Sequence, residues 1–313
     1  MSNFRAFKAD LLYGQSGLYK TSNCGWAAKY YYEKYGLTTR WVGADNGGWE
    51  PVDHLVQQGI IEAWPIRLWP NKIEALDLAC QGYWPNSLTD PAKGLMPPAE
   101  IAKTKVGLYV FEGLTSFGEV IMDALRKPGI SLSQDPNYVL KDGNATYVGS
   151  NMSNYGFVQD RIGEFVTKTH MIPQVKKVLW TALEGRGEDK ETKLPVFGPA
   201  IEGKKATAKA SQWFGNTLHM EACVASTQVD ESAKQISVTT EVRMYLRTHV
   251  DLNSKLPFPA KIRAPFDMDP KEWNARVPEW MEPRIDKLYA LLDTLKAEAS
   301  ARAGKLAVVA VAK

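Results

Sequence analysis

The chain has 313 residues, of which 44% are apolar and 23% charged, with a net charge of +3. That balance excludes a disordered or membrane-embedded polypeptide, and the basic surplus is too small by itself to imply a nucleic-acid or anionic-membrane partner. Three cysteines far apart, Cys24, Cys80 and Cys223, with no C-x-x-C pair, exclude a zinc knuckle and fit a reducing compartment. An amino terminus without the apolar core of a signal peptide, and no run long enough to span a bilayer, point to a cytoplasmic protein without a membrane partner.

In chain order, residues 7–13 read as a short apolar strand and 21–35 as a helix stopped by Gly36. Between them runs Gly14-Gln15-Ser16-Gly17-Leu18-Tyr19-Lys20-Thr21-Ser22. This is a phosphate-binding loop of the G-x-x-x-x-G-K-[ST] kind, with Tyr19 where a glycine is expected. The chemistry needs inward-pointing main-chain N–H groups, a cation on the β and γ phosphates and a hydroxyl on Mg²⁺. Gly14, Gly17, Lys20 and Thr21 can supply these. Tyr19 keeps its N–H but lacks the freedom of glycine at positive φ.

A second strand over 38–44 ends in Asp45-Asn46-Gly47-Gly48, followed by a helix over 51–58, a strand over 60–66 and a helix over 71–81. Asp45 is the first candidate for orienting an attacking water, although Asp-Asn-Gly-Gly is equally plain turn chemistry. Glu50 is the weaker candidate. A proline-rich surface excursion occupies 83–104. Val106 to Glu112 is then a near-continuous apolar run ending in a carboxylate, as a fully buried parallel strand does. Glu112 at that tip, on a strand expected beside the loop strand, suits a metal-holding acid; the plainer reading is a solvated strand end.

A helix over 116–126 follows, then a long Asn-, Gly- and Ser-rich loop over 128–156, a helix over 157–170 and a buried strand over 175–181. Thr181 at that strand's end is either a sensor of the γ-phosphate or a simple cap. A second long loop covers 185–205, two late strands cover 217–225 and 237–246, and a helix with one apolar face begins near Pro283 and ends in a fraying tail. Alternating strands and helices predict an α/β fold with a mainly parallel sheet covered on both faces. We divide the chain into a core over 1–265 and a helical extension over 266–313.

These stretches, together with Phe111-Glu112-Gly113-Leu114-Thr115-Ser116, Trp180-Thr181-Ala182-Leu183-Glu184, Gly198 to Lys205, and Arg247-Thr248-His249 with Lys261-Ile262-Arg263, resemble the RecA-like P-loop ATPase core. The likeness is strongest to the RecA-like proteins of bacteriophages, including Sak-type single-strand annealing ATPases. It implies a Mg²⁺-dependent ATPase whose ATP lies on residues 14–22. Asp45 would be the catalytic carboxylate, Glu112 the metal acid, Thr181 the sensor, and Glu50-Pro51 would lie near the adenine. Lys204 or Lys205 would reach the nucleotide of a neighbouring subunit in a homo-oligomeric ring or filament. The resemblance also places single-stranded DNA on the loops 128–156 and 185–205, through Tyr138, Lys141, Tyr147, Tyr155, Arg186, Lys190 and Lys193. The acids Glu184, Glu188, Asp189, Glu191 and Glu202 nearly cancel the charge of the second loop. Asp45 and Glu112 stand where the family uses Glu and Asp, so turnover would be slow or absent.

Overall fold

The computed structural model describes residues 8–44, 49–101, 103–125, 138–142, 145–149, 151–173, 175–188, 195–201, 207, 210–230, 237–249, 259–264 and 268–311. In chain order these form β1 (Ala9–Gly14), α1 (Lys20–Tyr35), β2 (Thr38–Gly43), α2 (Asp53–Gln57), β3 (Ile61–Pro65), α3 (Lys72–Cys80), β4 (Trp84–Pro85), β5 (Leu95–Met96), α4 (Pro98–Ile101) and β6 (Val106–Glu112). They continue with α5 (Leu114–Leu125), β7 (Tyr138–Asp142), β8 (Ala145–Gly149), α6 (Asn151–Thr169), β9 (Lys177–Glu188), β10 (Pro195–Pro199), β11 (Asn216–Asp230), β12 (Ser237–Arg247), α7 (Pro270–Arg276), β13 (Trp280–Met281) and α8 (Ile285–Val311).

The nine-stranded sheet has the order β13-β12-β11-β1-β9-β6-β2-β3, with β10 paired to β9 off this path. From β11 to β3 every neighbouring pair is parallel, whereas β12, β13 and β10 join antiparallel. The expected architecture is therefore present: a mainly parallel central sheet, flanking helices, late antiparallel strands and a carboxyl-terminal helix. All seven residues of β6 are buried, as a strand covered on both faces requires.

Side chains alternate across the strands and divide the core in two. One half gathers Leu11, Tyr109, Phe111 and Trp180 with Leu76 of α3, Phe117 of α5 and Phe165 of α6. The other gathers Leu12, Trp41, Val110 and Leu179 with Cys24 and Ala27 of α1 and Leu288, Leu292 and Leu295 of α8. Each fully buried leucine contributes roughly 1.5–3 kcal/mol, so α8 is fastened to the sheet through α1.

Four expectations change. The segment expected as a loop over 128–156 carries the β7–β8 hairpin, and α6 begins at Asn151 rather than 157. Tyr138-Val139-Leu140 and Thr146-Tyr147-Val148 are rich in the aromatic and β-branched residues that favour strands. The loop expected over 185–205 is in part β10 and the extension of β9 to Glu188, paired from Pro199↔Glu184 to Pro195↔Glu188. Ladder hydrogen bonding there overrides a Gly- and Glu-rich sequence of poor strand propensity. Thr181 thus lies inside β9, not at its end. The helix expected over 51–58 divides into a 3₁₀ turn, Glu50–Val52, and α2, and Gly59 at φ 70 ends it.

Candidate functional site

Gly14 ends β1 where β11 comes closest, and a Cβ placed there would lie 2.6 Å from the Met220 carbonyl oxygen. The chain then turns through Gly17 at φ 80 and Tyr19 at φ 53, ψ 28 before entering α1. Tyr19 is the one non-glycine residue at positive φ among the described residues. The aromatic residue therefore occupies the left-handed conformation that favours glycine. The residue is 52% exposed, and its carbonyl is pinned by the Asn23 N–H at 2.9 Å and the Asn23 side-chain amide at 3.1 Å.

No side chain caps α1, so its first-turn N–H groups and the positive end of its dipole face the loop. Lys20 Nζ donates to the Gly14 and Gln15 carbonyls at 3.0 and 2.6 Å, which holds the ammonium over the loop's inner side. Gln15 and Ser16 are exposed, whereas Leu18 packs on the core beneath α1.

Thr21 donates its hydroxyl to Glu112 Oε1, and Trp41 donates its indole N–H to Glu112 Oε2 at 3.0 Å. Glu112 is 3% exposed. Its strand β6 is not beside β1 as expected; β9 lies between them, and the longer glutamate spans that gap to Thr21. On the intervening strand, Thr181 Oγ1 accepts the Gly113 N–H at 3.0 Å. Because β6 and β9 pair only as far as Phe111↔Trp180, Thr181 stands level with Glu112 at the carboxyl edge of the parallel strands. Thr115, at the start of α5, accepts the Leu183 N–H at 3.2 Å and donates to the Ala200 carbonyl at 2.7 Å.

These groups surround a cleft of about 380 Å³, lined among others by Ser16, Tyr19, Lys20, Thr21, Ser22 and Glu112. The volume lies in the range of small-molecule sites, and the cleft sits at the carboxyl ends of parallel strands, where α/β sheets bind ligands. The hydroxyl of Thr21 and the carboxylate of Glu112 are hard oxygen donors that suit Mg²⁺, an ion that keeps several waters and takes one or two protein ligands. Among the described residues no group of three or more His, Cys, Asp or Glu side chains could hold a metal.

Pro51 lines the cleft, but Glu50 is exposed and does not. Asp45 lies outside the described residues, as do Lys190, Lys193, Lys204 and Lys205. The strand leading to Asp45 ends beside the cleft, with Gly43 in register with Glu112, and Arg67 Nε holds the Ala44 carbonyl. Tyr138, Lys141 and Tyr147 fall on β7 and β8, and Tyr155 of α6 is 41% exposed. The late basic residues are engaged within the fold. Arg247 pairs with Glu221 at 3.1 Å and covers the Trp280 ring at 4.0 Å, and Arg263 Nε donates to the Gly215 carbonyl at 3.1 Å. Beside Arg247, the buried His219 meets Glu184 at 3.0 Å and lies against the Tyr13 ring. Hydrogen bonding to His219 holds the Glu221 carboxyl below its ordinary range against the opposing effect of burial.

Trp41, Asn23 and Thr115 escaped the sequence reading. A tryptophan in a strand reads as core, and only the strand order brings its indole to Glu112.

No family model matches the chain, and no curated protein matches it in sequence. Among solved structures, a KaiC-like protein of the hyperthermophilic archaeon Pyrococcus horikoshii OT3 is similar over 80% of this chain and 89% of its own, at 10% identity and a TM-score of 0.36. So loose a likeness transfers no residue role. Among the described residues, no helix is long and apolar enough to cross a membrane.

Proposed function

We propose that the chain is a RecA-like P-loop ATPase that binds ATP with Mg²⁺ on residues 14–22. The observation that carries this reading is the meeting of Thr21 and Glu112 in one cleft with Lys20 and the uncapped start of α1. The loop amides and the α1 terminus bind phosphate oxygens, and Lys20 leaves its two carbonyl partners for the β and γ phosphates. Thr21 and Glu112 hold Mg²⁺, which when bound neutralises charge developing on the phosphates. Trp41 keeps Glu112 oriented, and Thr181 reads the γ-phosphate. Asp45 orients water in this reading, supported by the emergence of its strand beside Glu112.

The finer proposals rest on the resemblance described above. The chain assembles as a homo-oligomer with Lys204 or Lys205 near a neighbour's nucleotide, carries residues 266–313 as a helical extension, and acts on single-stranded DNA in recombination or annealing. A nucleotide-held assembly module without turnover, or a remodeller of proteins, makes different demands on the same assay.

Phosphate release by the pure protein with Mg²⁺, with and without single-stranded DNA, separates them. Glu112→Gln, which removes the anionic metal ligand, should lower Mg²⁺-dependent release by about 100-fold or more. Lys20→Ala should abolish ATP binding; a variant that binds ATP as the parent does removes the loop assignment. Turnover indifferent to DNA removes the DNA partner, and tight binding without turnover leaves the assembly module.

A further inference from the structure

At the opposite end of the sheet from the loop, the starts of β1 and β9 meet the end of α1 and the middle of α8. They enclose a second pocket, of about 220 Å³, lined by Tyr31, Tyr35, Lys176, Lys177, Tyr289 and Lys296 with Leu292 and Asp293. Its charges do not cancel. Lys177 is tied at 2.8 Å to the buried Asp10, which also accepts from Asn216 at 2.9 Å and Tyr289 at 3.3 Å. Asp293 accepts from Lys34 at 3.0 Å, Tyr30 at 2.8 Å and Tyr35 at 2.5 Å. Both acids are thereby used, each by a lysine of its own.

Lys176 and Lys296 are left without a carboxylate at ion-pair distance among the described residues. The Lys176 ammonium lies 4.4 Å from the centre of the Tyr35 ring, which positions it at the pocket without neutralising it. Lys296 keeps much of its surface in water. Even so, the protein around its ammonium, and then the neighbouring Lys177 cation, hold its pKa below the usual lysine range. A bound anion would relieve that like-charge repulsion.

From this geometry we infer a second anion site, in which Lys176 and Lys296 bind a small phosphate dianion, free or at the end of a small ester. Two uncompensated ammonium groups match two negative charges, and each offers three donors to phosphate oxygens. The volume falls below that of sites for drug-sized ligands, which favours the phosphate group over a whole nucleotide. Tyr31, Tyr35, Tyr289 and Leu292 supply much of the rest of the lining, and both lysines stay open to solvent, so a soluble anion can reach them. The site is separate from the loop: α1, about 24 Å long, has Lys20 at one end and Tyr31 and Tyr35 at the other.

Calorimetric titration of the full chain with inorganic phosphate and, separately, with glycerol 3-phosphate tests the assignment. Both are run on the parent, Lys20→Ala, Lys176→Gln, Lys296→Gln and Lys296→Arg proteins. Binding should persist in Lys20→Ala and Lys296→Arg and weaken at least tenfold in Lys176→Gln and Lys296→Gln. ATP binding should stay as in the parent in both glutamine variants. Whichever probe binds more tightly identifies the source of the phosphate. Absence of binding in the parent, its loss in Lys20→Ala, or its survival in both glutamine variants overturns the site.

Discussion

Tyr19 holds a left-handed conformation, φ 53 and ψ 28, that costs an L-residue roughly 1–2 kcal/mol. Half its surface is in solvent, so little packing offsets that cost. Tyr19→Gly should therefore raise the unfolding free energy by about 1 kcal/mol, seen as a higher urea midpoint at unchanged slope. Tyr19→Val, branched at Cβ in the same conformation, should lower it. At this scale much of the cleft was legible: Gly14, Gly17, Lys20 and Thr21 announce themselves by spacing, and Glu112 by ending an apolar run. Trp41 was not, because its role depends on a carboxylate 71 residues away.

Elements are joined by a few buried polar groups whose partners lie far away in sequence. Asn23 of α1 donates to the Tyr19 carbonyl and accepts the Ile285 N–H at 2.9 Å, so one side chain ties the loop to the first turn of α8. Asn23→Ala strands a buried N–H and should cost about 1–3 kcal/mol in urea unfolding. His170, just past α6, accepts the Lys8 and Ala9 N–H groups at Nδ1, 3.1 and 3.2 Å away, and so donates from Nε2 to the Trp213 carbonyl at 2.9 Å. Burial holds its pKa below the ordinary value, so the unfolded chain takes the proton more readily. The resulting stabilisation is present above the unfolded pKa, about 6.5, and is lost as pH falls through the folded value, with a slope of at most about 1.4 kcal/mol per pH unit. In His170→Gln, unfolding free energies measured from pH 7.5 to 5 should lose that part of the slope. Elements such as α1 and β6 were readable because helix-favouring composition with a glycine stop, and a continuous apolar run, are local signals. The β9–β10 pairing was not, since a Gly-Arg-Gly stretch becomes strand only when a partner supplies its ladder.

For the molecule as a whole, the proposed ligand should act through linkage. ATP with Mg²⁺ at 100 times its dissociation constant should stabilise the fold by about 2.7 kcal/mol in urea unfolding, and Lys20→Ala should abolish that gain. The same variant should still respond to phosphate through the lysine pocket, so the two ends of the sheet are separable in one titration series. Residue order by itself determined the α/β class, the burial of β6 and the glycine-bearing turn after β1, because these follow from alternating segments, a continuous apolar run and residues adjacent in the chain. The three-dimensional structure alone decided that β9 stands between β1 and β6, that Trp41 and Thr21 share Glu112, and that Lys176, Lys177 and Lys296 line one pocket. Such outcomes depend on which strands become neighbours, a choice made by the packing of both sheet faces at once and carried by no single segment.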